Sequence, residues 1–170
     1  MSPFDAVRLG ALARRHRTAL VRYVARYTGD PDLAEDVVQD TFLRLRVRPP
    51  PHQEGLKGWL FTVATHLAVD SMRVTRRRAE LEQEAGHLLP VAQPTPDPAA
   101  QVERQEARRM ARDALSGLRE KERTALLMRE EGFTHQEIAA AVGTTTKSVG
   151  TLLARAFDKF AERLQTEEAS

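Results

Sequence analysis

The chain has 170 residues, 41% hydrophobic and 29% charged, with a net charge of only +2 and no cysteine. This composition is that of a soluble globular protein of one domain or two small ones, and it excludes disulfides and cysteine-ligated zinc. The sequence holds no apolar run long enough to span a membrane and no signal-peptide core at its N-terminus, which fits a cytoplasmic protein without membrane insertion.

From Asp5 to Tyr27 the chain reads as one helix, because Leu9, Leu12, Ala13, His16, Leu20, Val24 and Tyr27 recur at three- and four-residue steps. His16 lies on that stripe and reads as a packed histidine rather than a ligand. Gly29 ends the helix, and Asp30-Pro31 starts the next with an N-cap and a proline at the first helical position. The second helix turns Leu33, Ala34, Val37, Val38, Thr41, Phe42 and Leu45 toward a core. Asp32, Glu35, Asp36, Gln39 and Asp40 fall mainly on its other side. Acids in a first turn are explained by the helix dipole, and an acidic face can simply be a solvated one. Acids continuing to Asp40 lie beyond the dipole's reach and favour a basic protein partner.

Arg48-Pro49-Pro50-Pro51 stops the second helix, since proline cannot continue it. Gly55 to Arg78 then reads as a long helix. Leu56, Leu60, Val63, Ala64 and Leu67 form its buried face, with Trp59 and Phe61 adding bulk at its start. Thr62, Thr65, His66, Asp70, Arg73 and Arg77 share another face. That face mixes hydrogen-bonding groups with cations, and Arg73, Arg76, Arg77 and Arg78 cluster at its end. Single-stranded or distorted DNA is a ligand for such a surface, although amphipathic helices with basic ends have other uses.

From Glu82 to Ala100 the apolar period fades, with Pro90, Pro94, Pro96 and Pro98 interrupting it, so an extended, mobile linker is expected there. Helical period resumes with Val102, Ala107, Met110, Ala111, Ala114 and Leu115 and breaks at Gly117. Glu120 to Glu131 forms a further helix with Ala125, Leu126 and Met128 as core. Gly132 ends it, and Phe133 folds back as a hydrophobic cap.

Thr134 to Ala156, THQEIAAAVGTTTKSVGTLLARA, has the pattern of a helix-turn-helix. Thr134 and Glu137 make a capping box, and Ile138, Ala139 and Val142 line one face. Gly143 can end this helix in a left-handed conformation, and Thr144 and Thr145 are suited to cap the next. Val149, Leu153, Ala156, Phe157, Phe160 and Leu164 fall on one apolar stripe of the second helix. Lys147, Ser148, Thr151 and Arg155 fall largely outside it, where a DNA major groove could meet them. A helical hairpin in an all-α core would share the pattern. Thr166 to Ser170 reads as a frayed tail.

The order of these parts carries a resemblance. AEDVVQDTFLRL at Ala34 to Leu45, GWLFTVATHLAVDSMR at Gly58 to Arg73, a proline-rich break and a helix-turn-helix containing Glu137-Ile138-Ala139 together resemble a bacterial extracytoplasmic-function sigma factor. The resemblance covers nearly the whole chain and implies an all-α protein of two small helical domains. Residues 1–81 would be a region-two-like domain, 82–99 a flexible linker toward the RNA exit path, and 100–170 a region-four-like domain. It also implies roles by position. Glu35, Asp36, Gln39 and Asp40 would grip core RNA polymerase. Trp59, Thr62, Thr65, His66 and Asp70 would capture the melted minus-ten element, with Arg73, Arg76, Arg77 and Arg78 on the adjacent backbone. Thr145, Thr146, Lys147, Ser148, Gly150, Thr151 and Arg155 would read the minus-thirty-five element. Promoter DNA and an anti-sigma factor are the further partners implied.

Two departures from the family pattern are visible. His66 stands where members usually carry asparagine, and the recognition helix reads Ser148-Val149-Gly150-Thr151-Leu152, with Gly150 and Leu152 in place of two expected cations. The expected role involves no catalysis, cofactor or metal. His16, His52, His66, His87 and His135 are scattered, and no paired carboxylates accompany a nucleophile. A one-component helix-turn-helix regulator is the alternative, but the acidic and polar first half suggests no ligand pocket.

Overall fold

A computed structural model describes residues 6–51, 55–84, 86 and 100–168. Seven helices make up the described residues: α1 (Ala6–Thr28), α2 (Pro31–Val47), α3 (Leu56–Glu84), α4 (Ala100–Ser116), α5 (Glu120–Glu130), α6 (His135–Val142) and α7 (Thr146–Glu168). The prolines expected to mark the linker, Pro90 to Pro98, lie outside the described residues.

Local chemistry sets the helix ends. Gly29 closes α1 with a φ of +74°. The Asp30 carboxylate then accepts from the backbone N–H groups of Asp32 at 3.0 Å and Leu33 at 3.1 Å, with Pro31 beginning the helix. At the end of α5, Phe133 N donates to Met128 O and Gly132 N to Arg129 O, a Schellman closure that turns the Phe133 ring into the core. Both halves of the Thr134–Glu137 capping box form, and Gly143 ends α6 in the left-handed region.

Helices α1, α2 and α3 pack as one group, and α4 to α7 as another built around α7. Their cores are continuous: one buried cluster runs from Leu20, Tyr23 and Val24 through Leu60 and Phe61 to Met128, Phe133, Ile138 and Val149. Phe61 links the two groups, its ring centroid lying 5.0 Å from that of Tyr23 and 4.9 Å from that of Phe133, edge-on to each.

Several expectations are corrected. Helix α3 continues past Arg78 to Glu84. Residues 79–84 hold no proline or glycine, and Arg76 pairs with Glu80 one turn on at 3.0 Å. Helix α7 likewise continues through Thr166, whose hydroxyl donates to Glu162 O, as far as Glu168. Val102 and Ala107 of α4 are exposed, since only the C-terminal end of that helix, at Ala114 and Leu115, enters the core. In α5 Leu127 is buried and Leu126 only half-buried. Phe157 is 62% exposed despite its place on the apolar stripe of α7, whose buried line follows Val149 and Ala156.

Candidate nucleic-acid and protein interfaces

Helix α2 separates its two faces cleanly. Ala34, Val37, Val38, Thr41 and Leu45 are buried, while Glu35, Asp36, Gln39 and Asp40 are exposed. Glu35 is held by Arg17 of α1. Asp36, Gln39 and Asp40 have no side-chain partner among the described residues, so their charges and amide face solvent unneutralised. Leu43 and Val47 continue the outer side of α2 as exposed apolar residues. The composite is acidic at one end and apolar at the other, a combination suited to a protein surface carrying cations and apolar side chains.

On α3, His66, Asp70, Arg73 and Arg77 form an exposed stripe at steps of four, three and four, with Arg76 and Arg78 beside it. Trp59 and Thr62 are half-buried at the start of the helix, and Thr62 returns its hydroxyl to Gly58 O at 2.8 Å. Thr65 does not belong to this face. It is 5% exposed, and its hydroxyl donates to Phe61 O at 2.7 Å and meets Tyr23 OH, also at 2.7 Å. Packing of α1 on this side widens the buried arc of α3, so Thr65 satisfies the buried tyrosine instead of facing a ligand. Burial pushes the Tyr23 hydroxyl's pKa far above its ordinary value, the Thr65 hydrogen bond opposing the shift, so it stays protonated. Arg73 reaches across to Glu120 of α5 at 2.9 Å and approaches Asp70 at 3.9 Å.

The helix-turn-helix presents the third face. Val149 and Ala156 anchor α7, leaving Thr146, Lys147, Ser148, Gly150, Thr151 and Arg155 exposed. Thr145 caps the helix, accepting from Ser148 N at 3.3 Å, and its hydroxyl meets that of Ser148 at 2.8 Å. Thr145 and the Ser148 hydroxyl are thereby partly committed to shaping the turn. Lys147, Thr151 and Arg155 are exposed and have no side-chain partner among the described residues, and Asp158 follows them one turn on.

One tie between helices escaped sequence reading. Glu122 is buried in α5, accepts from Lys159 Nζ of α7 at 2.6 Å and from Arg119 N at 3.0 Å, and so joins α5 to α7. Burial alone would raise the pKa of its carboxyl. The Lys159 and Arg119 hydrogen bonds outweigh burial and hold it below the ordinary value. The spacing Arg119-x-x-Glu122 is a signal for the local bond, but the Lys159 contact spans 37 positions.

Comparison with known proteins assigns both groups of helices. The Sigma-70 region 2 family matches residues 12–78, and the Sigma-70 region 4 family matches residues 108–160. The ECF RNA polymerase sigma factor SigL of Mycobacterium tuberculosis is 33% identical over 150 residues, 85% of this chain and 82% of that protein. The chain belongs to the extracytoplasmic-function sigma factors. It is also 32% identical over 166 residues to the probable ECF sigma factor SigI of Mycobacterium tuberculosis, covering 95% of this chain but spanning only 57% of that relative's length. The fold is shared with the sigma factor RpoE of Bartonella quintana, solved in complex with the anti-sigma factor NepR. The TM-score is 0.68 at 24% identity, over 92% of this chain and 96% of that one. In this sigma factor the region 4 match contains α5, α6 and most of α7, and the region 2 match contains α2, most of α1 and α3 as far as Arg78.

Gly150 gives this surface a direct test. A Cβ at Gly150 would meet nothing within 4 Å, so Gly150→Lys adds a cation without a clash and removes a helix-weakening glycine. Binding of the full chain to duplex promoter DNA is expected to tighten, and log Kd to gain a salt slope of about 0.9, the mark of one added phosphate contact. Arg155→Ala should flatten the slope by a similar amount. A salt titration with fluorescently labelled DNA measures both.

Proposed function

We propose that this chain is an alternative sigma subunit that directs bacterial core RNA polymerase to a specific set of promoters, and that it performs no chemistry of its own. Asp36, Gln39 and Asp40, with Glu35 beside them, bind core polymerase. His66, Asp70, Arg73, Arg76, Arg77 and Arg78 engage the opened minus-ten element, with Trp59 and Thr62 at the start of the same helix. Thr145, Thr146, Lys147, Ser148, Gly150, Thr151 and Arg155 form the surface toward the minus-thirty-five element. The observation that carries this reading is the pairing of an outward acidic face on α2 with a separate outward recognition face on α7, in a chain matching region 2 and region 4 in that order.

The working division is a region-two-like unit at residues 1–81, a linker at 82–99, of which residues 82–84 form the last turn of α3, and a region-four-like unit at 100–170. An anti-sigma factor is a further proposed partner, since the Bartonella relative was solved with one. Cytoplasmic action follows from the proposed work on polymerase and DNA.

The test is to add the full chain to purified bacterial core polymerase and map the 5′ ends of transcripts made from genomic DNA. Starts that share an upstream motif and depend on this chain support the reading. Tight sequence-specific duplex binding without polymerase, and no new starts with it, would favour a one-component regulator. Limited proteolysis tests the division: cleavage is expected first between about Glu82 and Ala100, yielding two helical fragments that remain associated at low salt. First cuts within Ala34 to Leu45 would place the boundary elsewhere.

A further inference from the structure

The two groups of helices meet through a set of ion pairs with one polarity. Every cation comes from α1 or α3, and every acid from α5 or its end. Arg22 donates to both carboxylate oxygens of Glu131, at 2.9 to 3.2 Å. Arg26 meets Glu130 at 2.7 Å, and Arg73 meets Glu120 at 2.9 Å. Lys57 adds a hydrogen bond to Glu131 O at 3.1 Å and lies 4.7 Å from the centroid of the Phe133 ring. Beneath these pairs are the Phe61–Phe133 contact and the Tyr27 hydroxyl, 3.0 Å from Thr124 Oγ1.

We propose that this packing is a charge-latched resting state in which Glu120 occupies Arg73, so that closure of the two halves and binding of single-stranded DNA along α3 compete for the same guanidinium. Closure is held by the contacts themselves. The competition with DNA rests on the proposed sigma function.

Magnitudes make the latch reversible. Arg26, Glu130, Arg73, Glu120 and Arg22 are half or more exposed, and an exposed pair shifts an equilibrium by only about 1.5- to 5-fold. The two exposed pairs, Arg26–Glu130 and Arg73–Glu120, together shift it by roughly 2- to 25-fold if they act independently, and the Arg22–Glu131 pair, whose acid is only 8% exposed, adds to that. A polyanion offers several phosphates to the stripe Arg73, Arg76, Arg77 and Arg78, whereas Glu120 offers one carboxylate, so DNA can displace it. In the closed form Glu120 also places a negative charge where a phosphate would lie. Salt weakens the ion pairs but not the ring contacts, so the halves loosen in salt without losing their helices.

Two measurements on the full chain test this. Small-angle scattering at low salt should give a larger radius of gyration for Glu130→Arg combined with Glu131→Arg, at unchanged helicity. Adding Arg22→Glu and Arg26→Glu should return it toward the native value. Should Glu131→Arg lower helicity, Glu130→Arg against Arg26→Glu gives the same comparison at a half-exposed pair. Identical dimensions for the native chain and the charge-reversed variants would overturn the latch. Second, Glu120→Gln should raise affinity for a single-stranded oligonucleotide about 2- to 5-fold at low salt. The same change in an Arg73→Gln background should produce no gain. An equal gain in both backgrounds would show that Glu120 acts as a general repulsive charge and would overturn competition for Arg73. Neither readout contains polymerase, so a failure of promoter-directed transcription would count against the sigma reading and leave these results standing.

Discussion

Asp36→Arg is expected to weaken binding to core RNA polymerase by about a hundredfold, near 3 kcal/mol, while leaving the thermal unfolding of the protein almost unchanged. The asymmetry follows from the position of the residue. Asp36 is exposed on α2 and has no partner among the described residues, so its replacement removes no intramolecular contact. An exposed helix site of this kind usually changes stability by no more than about 0.5 kcal/mol. Against a basic partner the same change both removes an attraction and adds a repulsion. Gln39→Arg, one turn along the face, should act in the same direction but less strongly because it only adds charge. Equilibrium binding of labelled protein to core enzyme gives the affinity, and circular dichroism melts give the stability. Native-like affinity of both variants would remove the acidic face from the polymerase interface.

Phe61→Ala is expected to have the opposite profile, costing about 3–5 kcal/mol of stability without touching an exposed face. Phe61 is 0% exposed and bridges Tyr23 and Phe133, so alanine leaves a cavity at the junction of the two helix groups. For a chain of this size the loss corresponds to a fall in melting temperature of about 10 °C. Urea unfolding should show it as a lower midpoint. The junction should also loosen, because the Phe133 ring and Lys57 above it lose the surface on which they rest. A midpoint within error of the native value would mean that Phe61 does not tie the two groups together in solution.

These two residues mark what each level of description could supply. The acidic side of α2 was legible because a 3.6-residue period divides a helix into faces and charged residues avoid the buried one. Legible on the same grounds were the capping of α2 by Asp30, the turn at Gly132 and Phe133, and the exposed positions of the helix-turn-helix, since all are set by residues a few positions apart. Thr65 was misplaced because the period fixes a residue's angle around the helix and not how wide an arc its neighbours cover. Helix α3 touches α1, α2, α5 and α6, so its buried arc takes in Phe61, Thr65, Ala68 and Val69 along with Leu56, Leu60 and Ala64, and leaves Val63 and Leu67 of the expected stripe half-buried. Phe157 was misplaced for the converse reason: the stripe passes beneath it, but it remains mostly exposed.

Sequence alone therefore determined the helices, most of their ends, the family and the outward faces, because each depends on local periodicity or on motifs in order. The closed packing of the two halves was decided by the tertiary structure. Arg22 and Glu131 are 109 positions apart, Tyr27 and Thr124 are 97 apart, and Arg73 and Glu120 are 47 apart. Nothing in the local pattern around an exposed arginine distinguishes a glutamate far along the chain from a DNA phosphate as its partner. The choice is made only when the shared core around Phe61 and Phe133 brings the two surfaces together.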